Sequence, residues 1–135
     1  MLTSLKRYTF RKPEKICNQK QIDQLFASGK SFTSGQFRLI YVKTEISGPI
    51  PVQLLIAVPK RSLKHAVDRN RMKRLIREAY RLSKHKLTEV LAAAAKHYDI
   101  AIVFNGNRCV SQSETLSAIN VLLDRLLLIH EKNTE

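Results

Sequence analysis

The first hydrophobic positions of the chain predict a short helix between residues 18 and 29. Asn18 is a typical N-cap, and Gln21 three residues later completes a weak capping-box pattern. Gly29 is a typical helix end. Between them, hydrophobic residues recur at helical spacing, at Ile22, Leu25 and Phe26.

Three later stretches have the composition of strands: residues 36–44, 52–58 and 99–104. The last two are nearly continuous apolar runs, which is typical of buried strands. In the stretch 36–44, successive side chains would point to opposite faces of a strand. One face carries Phe37, Leu39 and Tyr41, and the other carries Arg38, Ile40 and Val42.

Helical patterns separate and follow these strands. One helix is predicted from about residue 66 to the mid-eighties, and the Ala-rich segment 88–96 either continues it or forms a second helix. Ser111 and Glu114 form a capping box for a last helix. Its apolar stripe consists of Leu116, Ile119, Leu123, Leu126 and Leu127.

The order helix, two or three strands, helix, strand, helix predicts an α+β fold, a single α/β sandwich. The 135 residues are interpreted as one domain, 1–135, with a basic N-terminal arm at 1–15 and a frayed tail at 130–135. The unit from 52 to 104 would be a parallel crossover, which is ordinarily right-handed.

Charge narrows the range of partners. The chain has 24 Lys and Arg against 11 Asp and Glu, a net charge of +13, which favours a polyanionic partner. Cys17 and Cys109 form no CxxC pair, which argues against a zinc site and for a reducing compartment. No signal-peptide pattern and no apolar run of transmembrane length is present, so a cytoplasmic location is expected.

The positive charge is concentrated on one helix. Residues 60–81 hold nine Lys or Arg and two Asp or Glu, more than half of the excess of the whole chain. With Arg69 at zero and about 100° per residue, a core stripe falls between roughly 220° and 340°. That stripe consists of Leu82, Leu75, Ala79, Met72 and Ile76. The opposite face carries Arg69, Lys73, Arg77, Asn70, Arg81 and Arg74, with Arg71 at its border.

Three interpretations of this basic face differ in their expectations. A merely solvated face would mix charge signs, which this one does not. A membrane-surface helix would need larger apolar side chains, and the chain has no Trp. Arginine suits a bidentate grip on phosphates, and Asn70 could contact a sugar or a base edge. Nucleic acid is therefore the favoured partner.

The segment AVPKRSLKHAVDRNRMKRLIREAYR, residues 57–81, resembles the signature of the bacterial ribonuclease P protein family. The family's RNR row corresponds to Arg69, Asn70 and Arg71, and its KRLIRE to residues 73–78. The resemblance continues in order along nearly all of the chain. It implies a ribosomal-protein-like fold whose βαβ crossover is left-handed, against the usual rule.

The resemblance also implies a function. The chain would be the non-catalytic protein component of a ribonucleoprotein endonuclease that removes 5′ leaders from precursor tRNA. The RNA subunit would hold the catalytic Mg²⁺, the protein alone would bind no cofactor, and neither DNA nor membrane would be a partner. The predicted RNA-binding residues either match the family's motif or lie in the same basic segment. They are Lys60, Arg61, Lys64, Arg69, Asn70, Arg71, Lys73, Arg74, Arg77 and Arg81.

A cleft between the first helix and the sheet would grip the single-stranded leader. Phe26 matches an aromatic residue suited to base stacking, whereas Ile22 stands where the family often has a second aromatic. A gapless match places Ile40, and with it Arg38 and Val42, on the cleft face. A one-residue slip would select Phe37 and Tyr41 instead. The segment 88–96 is longer than is usual in the family, and no function is assigned to it.

The sequence shows no catalytic set of its own. Its acidic residues are scattered, and its four histidines have no HxH or HxxxH spacing. Two alternatives remain open from the residues. One is a structural or ribosomal RNA-binding protein without a processing role. The other is a DNA-binding regulator, which the lack of a helix-turn-helix pattern disfavours.

Overall fold

The structure, a computed structural model, describes residues 14–16, 18–44 and 50–133. Its elements are α1 (Gln19–Ser28), β1 (Lys30–Ser34), β2 (Phe37–Thr44), β3 (Val52–Ala57), α2 (Ala66–Ser83), α3 (His85–Ala93), β4 (His97–Phe104) and α4 (Gln112–Asn133). Residues 1–13 of the predicted basic arm lie outside the described residues.

The four strands form one mixed sheet in the order β1–β2–β4–β3. β2 is antiparallel to both β1 and β4, whereas β3 is parallel to β4. A parallel pair requires a crossover, which α2 and α3 provide between β3 and β4. The predicted parallel strand–helix–strand unit is thus confirmed, and its left-handedness stays a prediction from the resemblance. Lys15 extends the outer edge of β3 through a bridge to Leu54.

Helices cover both faces of the sheet, as predicted for an α/β sandwich. The main core lies between one face of the sheet and α2, α3 and α4. A smaller core lies on the other face, under α1, and consists of Ile16, Leu25, Ile40, Ala101 and Val103. The family's two expected RNA-contacting elements, α1 and α2, are therefore on opposite faces of the sheet.

The ends of α1 follow the predicted signals. The Asn18 side chain accepts a hydrogen bond from the Lys20 backbone N–H at 2.8 Å. Gly29 follows the last turn of α1 and lies close to the sheet. A Cβ at this position would lie 2.5 Å from Cγ2 of Ile40. Glycine is required at this position by space, because its φ of −71° suits any residue.

Three features differ from, or refine, the sequence prediction. β1 was not predicted as a strand because KSFTS is largely polar; its pairing with β2 and a hydrogen bond from Arg125 to the Thr33 carbonyl hold it. The segment 88–96 belongs mostly to a separate helix, α3, rather than to a continued α2. α4 extends to Asn133 and buries His130, where a frayed tail was predicted.

Candidate nucleic-acid interface

The hydrophobic side of α2 anchors the basic helix. Met72, Ile76 and Tyr80, each four residues after the last, are fully buried in the main core, and Ala79 is buried beside them. The predicted stripe was wrong at one edge, because Leu82 is 41% exposed while Tyr80 was left out. The buried side of α2 is rotated toward Tyr80, whose large ring fills the space that the sheet, α3 and α4 enclose.

The opposite side of α2 is exposed and cationic. Asn70, Arg71, Arg74 and Arg77 are exposed, and Lys73 lies half-buried at the margin. We call these four exposed residues, together with Lys60, Arg61 and Lys64 of the preceding turn, the α2 face. Six of its members are cations, and no acidic residue belongs to it.

Arg69 differs from its neighbours because it holds the turn before α2. Its Nη1 donates to the carbonyl oxygens of Leu63 and Lys64, at 2.9 and 2.7 Å. Ser62 Oγ donates to the Phe104 carbonyl at 3.2 Å, which ties the same turn to the end of β4. Arg69 was predicted as an RNA ligand, and the structure gives it an additional role in shaping the turn that presents Lys60, Arg61 and Lys64.

Arg81 is also engaged within the protein. Its guanidinium forms an ion pair with Glu78, one turn before it on α2. The hydrogen bond from Arg81 holds the pKa of the Glu78 carboxyl below its ordinary value. The single acidic residue in the outer half of α2 is thereby neutralised by Arg81, which leaves the α2 face uniformly positive.

One basic residue near this surface was missed by the sequence prediction. Arg108 is exposed and follows β4. Its neighbour Cys109 places Sγ 3.8 Å from the Asp68 carbonyl in the first turn of α2. The sequence offered one signal for Arg108, a cation in the segment that follows a predicted strand. Only the folded chain brings this segment next to α2.

The register of the sheet arranges the residues under α1 in three rows. The central row consists of Ile40, Ala101 and Leu55. The Arg38 row, toward the end of the sheet where β3 ends, consists of Arg38, Val103 and Ala57. The Asp99 row, toward the other end, consists of Val42, Asp99 and Gln53.

α1 crosses the central row. Leu25 is fully buried against Ile40 and Ala101, and Gln21 reaches the Asp99 row through a hydrogen bond of 2.8 Å from its Nε2 to Oε1 of Gln53. On a helix, Phe26 lies about 100° from Leu25, on the side away from Gln21. Phe26 therefore projects on the side of the Arg38 row.

We call the surface bounded by Ile22, Phe26 and the Arg38 row the α1 groove. The Phe26 side chain is 50% exposed, so it is not the plain core residue that its neighbour Leu25 is. Arg38 is exposed and donates to Ser31 Oγ at 3.0 Å, and Ile22 is half-buried.

Ile40 differs from the other predicted cleft residues. It is on the predicted face, but α1 covers it and it is only 4% exposed. It supports the groove from below and does not line it. Phe37 and Tyr41, the residues that a one-residue slip would select, face the main core on the other side of the sheet.

The α1 groove and the α2 face meet at one end of the sheet. Ala57 ends β3 in the Arg38 row, and Lys60 and Arg61 follow three and four residues later. The chain itself therefore runs from the Arg38 row into the basic turn. This continuity joins two surfaces that lie on opposite faces of the sheet.

Within the described residues, no three His, Cys, Asp or Glu side chains are grouped closely enough to hold a metal ion. Asp99 and His97 do lie together, with 3.3 Å between Oδ1 and Nε2, but both are buried. Among the described helices, none has the length and hydropathy needed to cross a membrane.

Comparisons with known proteins identify the family of this chain. The family model for Ribonuclease P matches residues 10–127. A ribonuclease P protein component of Chlorobium phaeobacteroides is 37% identical over 116 residues, 80% of this chain and 80% of that protein. One of Porphyromonas gingivalis is 34% identical over 102 residues, 76% of this chain and 74% of that protein.

Solved structures of RNase P proteins share the fold. One from Staphylococcus aureus has a TM-score of 0.67 at 21% identity, covering 84% of this chain and 94% of that one. One from Thermotoga maritima has a TM-score of 0.64 at 22% identity, covering 83% and 96%. With a family match over most of its length and relatives above 30% identity, the chain belongs to the ribonuclease P protein family, the protein component of a tRNA-processing ribonucleoprotein.

Proposed function

We propose that this protein binds the catalytic RNA of ribonuclease P through the α2 face and the 5′ leader of precursor tRNA in the α1 groove. The observation that carries the proposal is the continuity of the two surfaces at the basic turn. A leader strand lying in the groove would leave it beside the residues that hold the RNA subunit.

The α2 face is suited to folded RNA. Arg71, Arg74 and Arg77 can each form two parallel hydrogen bonds to a phosphate, and the turn adds further cations. The helix is presented by a rigid core, so little conformational entropy is lost by its backbone on binding. Arg69 contributes indirectly by fixing the turn.

The α1 groove is suited to a single strand. Phe26 offers an exposed ring for stacking on an unpaired base, and Arg38 offers a charge for the backbone. Neither requires a particular base, so we expect the leader to be held with little sequence preference. Ile22 can pack against a base but cannot stack as an aromatic ring does.

We propose that the chemistry belongs to the RNA subunit and its Mg²⁺ ions. Mg²⁺ prefers carboxylate and phosphate oxygens, and the α2 face offers it no carboxylate. The role of the protein would be to neutralise phosphates and to retain leader-bearing substrate. Because precursor tRNA is made in the bacterial cytoplasm, that is the compartment in which we expect it to act.

The two surfaces can be tested separately. We expect Arg71→Glu and Arg74→Glu to weaken binding to a bacterial ribonuclease P RNA by tenfold or more, while Lys86→Glu, an exposed residue of α3, has little effect. Phe26→Ala should leave that affinity unchanged and reduce the preference for precursor over mature tRNA by about fivefold or more. If the charge reversals leave RNA affinity unchanged, the α2 face is not the RNA-binding surface.

A further inference from the structure

The face of the sheet under α1 contains a buried carboxylate. Asp99 lies in β4 and is 3% exposed, beside the smaller core under α1. Burying a carboxylate in a protein is unfavourable unless hydrogen bonds compensate. Neither of the two RNA-binding surfaces uses this group, so its retention needs a separate explanation.

The partners of Asp99 connect three elements. Oδ1 lies 3.3 Å from Nε2 of His97 in the same strand. Oδ2 lies 3.4 Å from Nε2 of Gln21 on α1. The same Gln21 nitrogen donates to Oε1 of Gln53 on β3 at 2.8 Å. One side chain of α1 is thus held between β4 and β3.

Apart from these hydrogen bonds, α1 contacts the sheet through the smaller core, in which Leu25 is buried and against which Ile22 packs. The helix has ten residues, and Leu25 is the one described α1 residue that is fully buried. A single buried leucine fixes the distance between a helix and a sheet better than it fixes where the helix lies along the sheet surface. The reason is that dispersion and hydrophobic contacts have little directional preference. The hydrogen bonds of Gln21 are directional and lie on the side opposite Phe26.

We infer that Asp99 is a positioning residue for leader recognition. Through Gln21, and together with Gln53, it holds α1 toward the Asp99 row and so sets the width of the α1 groove on the other side. The inference rests on the proposed function, since it assigns Asp99 to the same groove. Loss of the bonds would let α1 shift over the central row and move Phe26 relative to Arg38.

The first test is Gln21→Ala in the protein reconstituted with a ribonuclease P RNA. Alanine favours the helix, so folding should be retained. We expect the preference for precursor over mature tRNA to fall by about three- to tenfold, the effect of losing one or two hydrogen bonds. Affinity for the RNA subunit should not change, because the α2 face is on the other side of the sheet. Gln24→Ala, an exposed glutamine of the same helix, should change neither quantity.

The second test asks whether Asp99 acts as a hydrogen-bond acceptor or through its negative charge. Asp99→Asn keeps an oxygen that can accept from Gln21, and we expect it to stay within about twofold of the unsubstituted protein. Asp99→Leu has similar volume but no acceptor, and it should lose part of the preference that Gln21→Ala loses, because the hydrogen bond between Gln21 and Gln53 remains. The double variant Gln21→Ala/Asp99→Leu should lose no more than Gln21→Ala alone, because that substitution already removes the hydrogen bond between Gln21 and Asp99.

Each outcome has a distinct meaning. The inference is overturned if Gln21→Ala keeps the full preference while Phe26→Ala loses it, and the proposed function then survives. It is also overturned if Asp99→Leu reduces RNA-subunit affinity as much as leader preference, because that pattern indicates a general loss of structure. If the unsubstituted complex shows no preference for precursor tRNA, the proposed function itself fails.

Discussion

The salt dependence of RNA binding should report how many phosphates the α2 face contacts. Six exposed cations belong to it: Lys60, Arg61, Lys64, Arg71, Arg74 and Arg77. Each cation that neutralises a phosphate contributes about −0.7 to −0.9 to the slope of log affinity against log salt concentration. If all six make contact, the slope is about −4.2 to −5.4, and affinity falls about 340- to 1,800-fold between about 50 and 200 mM salt.

Replacing one arginine should change this slope by one contact. Arg74→Gln removes a charge and keeps a polar side chain, so we expect the slope to become less negative by about 0.7 to 0.9. Lys86→Gln, whose side chain is exposed on α3, should leave it unchanged. Filter binding or fluorescence anisotropy with a ribonuclease P RNA at several salt concentrations measures both. A slope weaker than about −2 for the unsubstituted protein, or the same slope for Arg74→Gln, would refute the reasoning.

Three further predictions concern stability. Gly29→Ala should lower the free energy of unfolding by about 1–3 kcal/mol in urea denaturation, because its Cβ would collide with Ile40; an unchanged midpoint would contradict this. Arg69→Met should lower the free energy of unfolding by about 1–3 kcal/mol, because two loop carbonyls lose their hydrogen bonds. It should also weaken RNA binding. Unchanged stability would show that the turn does not depend on Arg69. Burial and two nearby lysines hold the pKa of His130 below its ordinary 6.5, so the unfolded chain takes up the proton first and stability falls as pH drops below about 6.5. His130→Gln should therefore show a smaller fall in melting temperature from pH 7 to pH 5 than the unsubstituted protein. An equal fall in both proteins would show that His130 does not cause this pH dependence.

The sequence predicted α2 well because its two sides differ strongly in polarity. A period of 3.6 residues located Met72 and Ile76 in the core and Arg74 outside it. Periodicity could not place Tyr80 and Leu82, which lie at the borders of the stripe. Their positions depend on where α3 and α4 close over α2, and that packing is a property of the whole fold.

The site under α1 was less predictable. Gln21 matched a capping-box pattern, but its side chain reaches Gln53 and the buried Asp99, residues 32 and 78 positions away. A gapless match to the family placed Ile40 on the face that α1 covers, yet its burial depends on how closely Gly29 lets α1 approach. Contacts between distant segments decide both outcomes, and no local pattern contains them.

The central claim is that this protein makes a ribonuclease P RNA an effective processor of precursor tRNA. The most direct measurement is cleavage of the 5′ leader by that RNA at limiting Mg²⁺, with and without the protein, together with the binding of precursor and mature tRNA. The account predicts that the protein restores cleavage and that the complex prefers the leader-bearing form. Equal binding of every RNA, with no cleavage at limiting Mg²⁺, would contradict it.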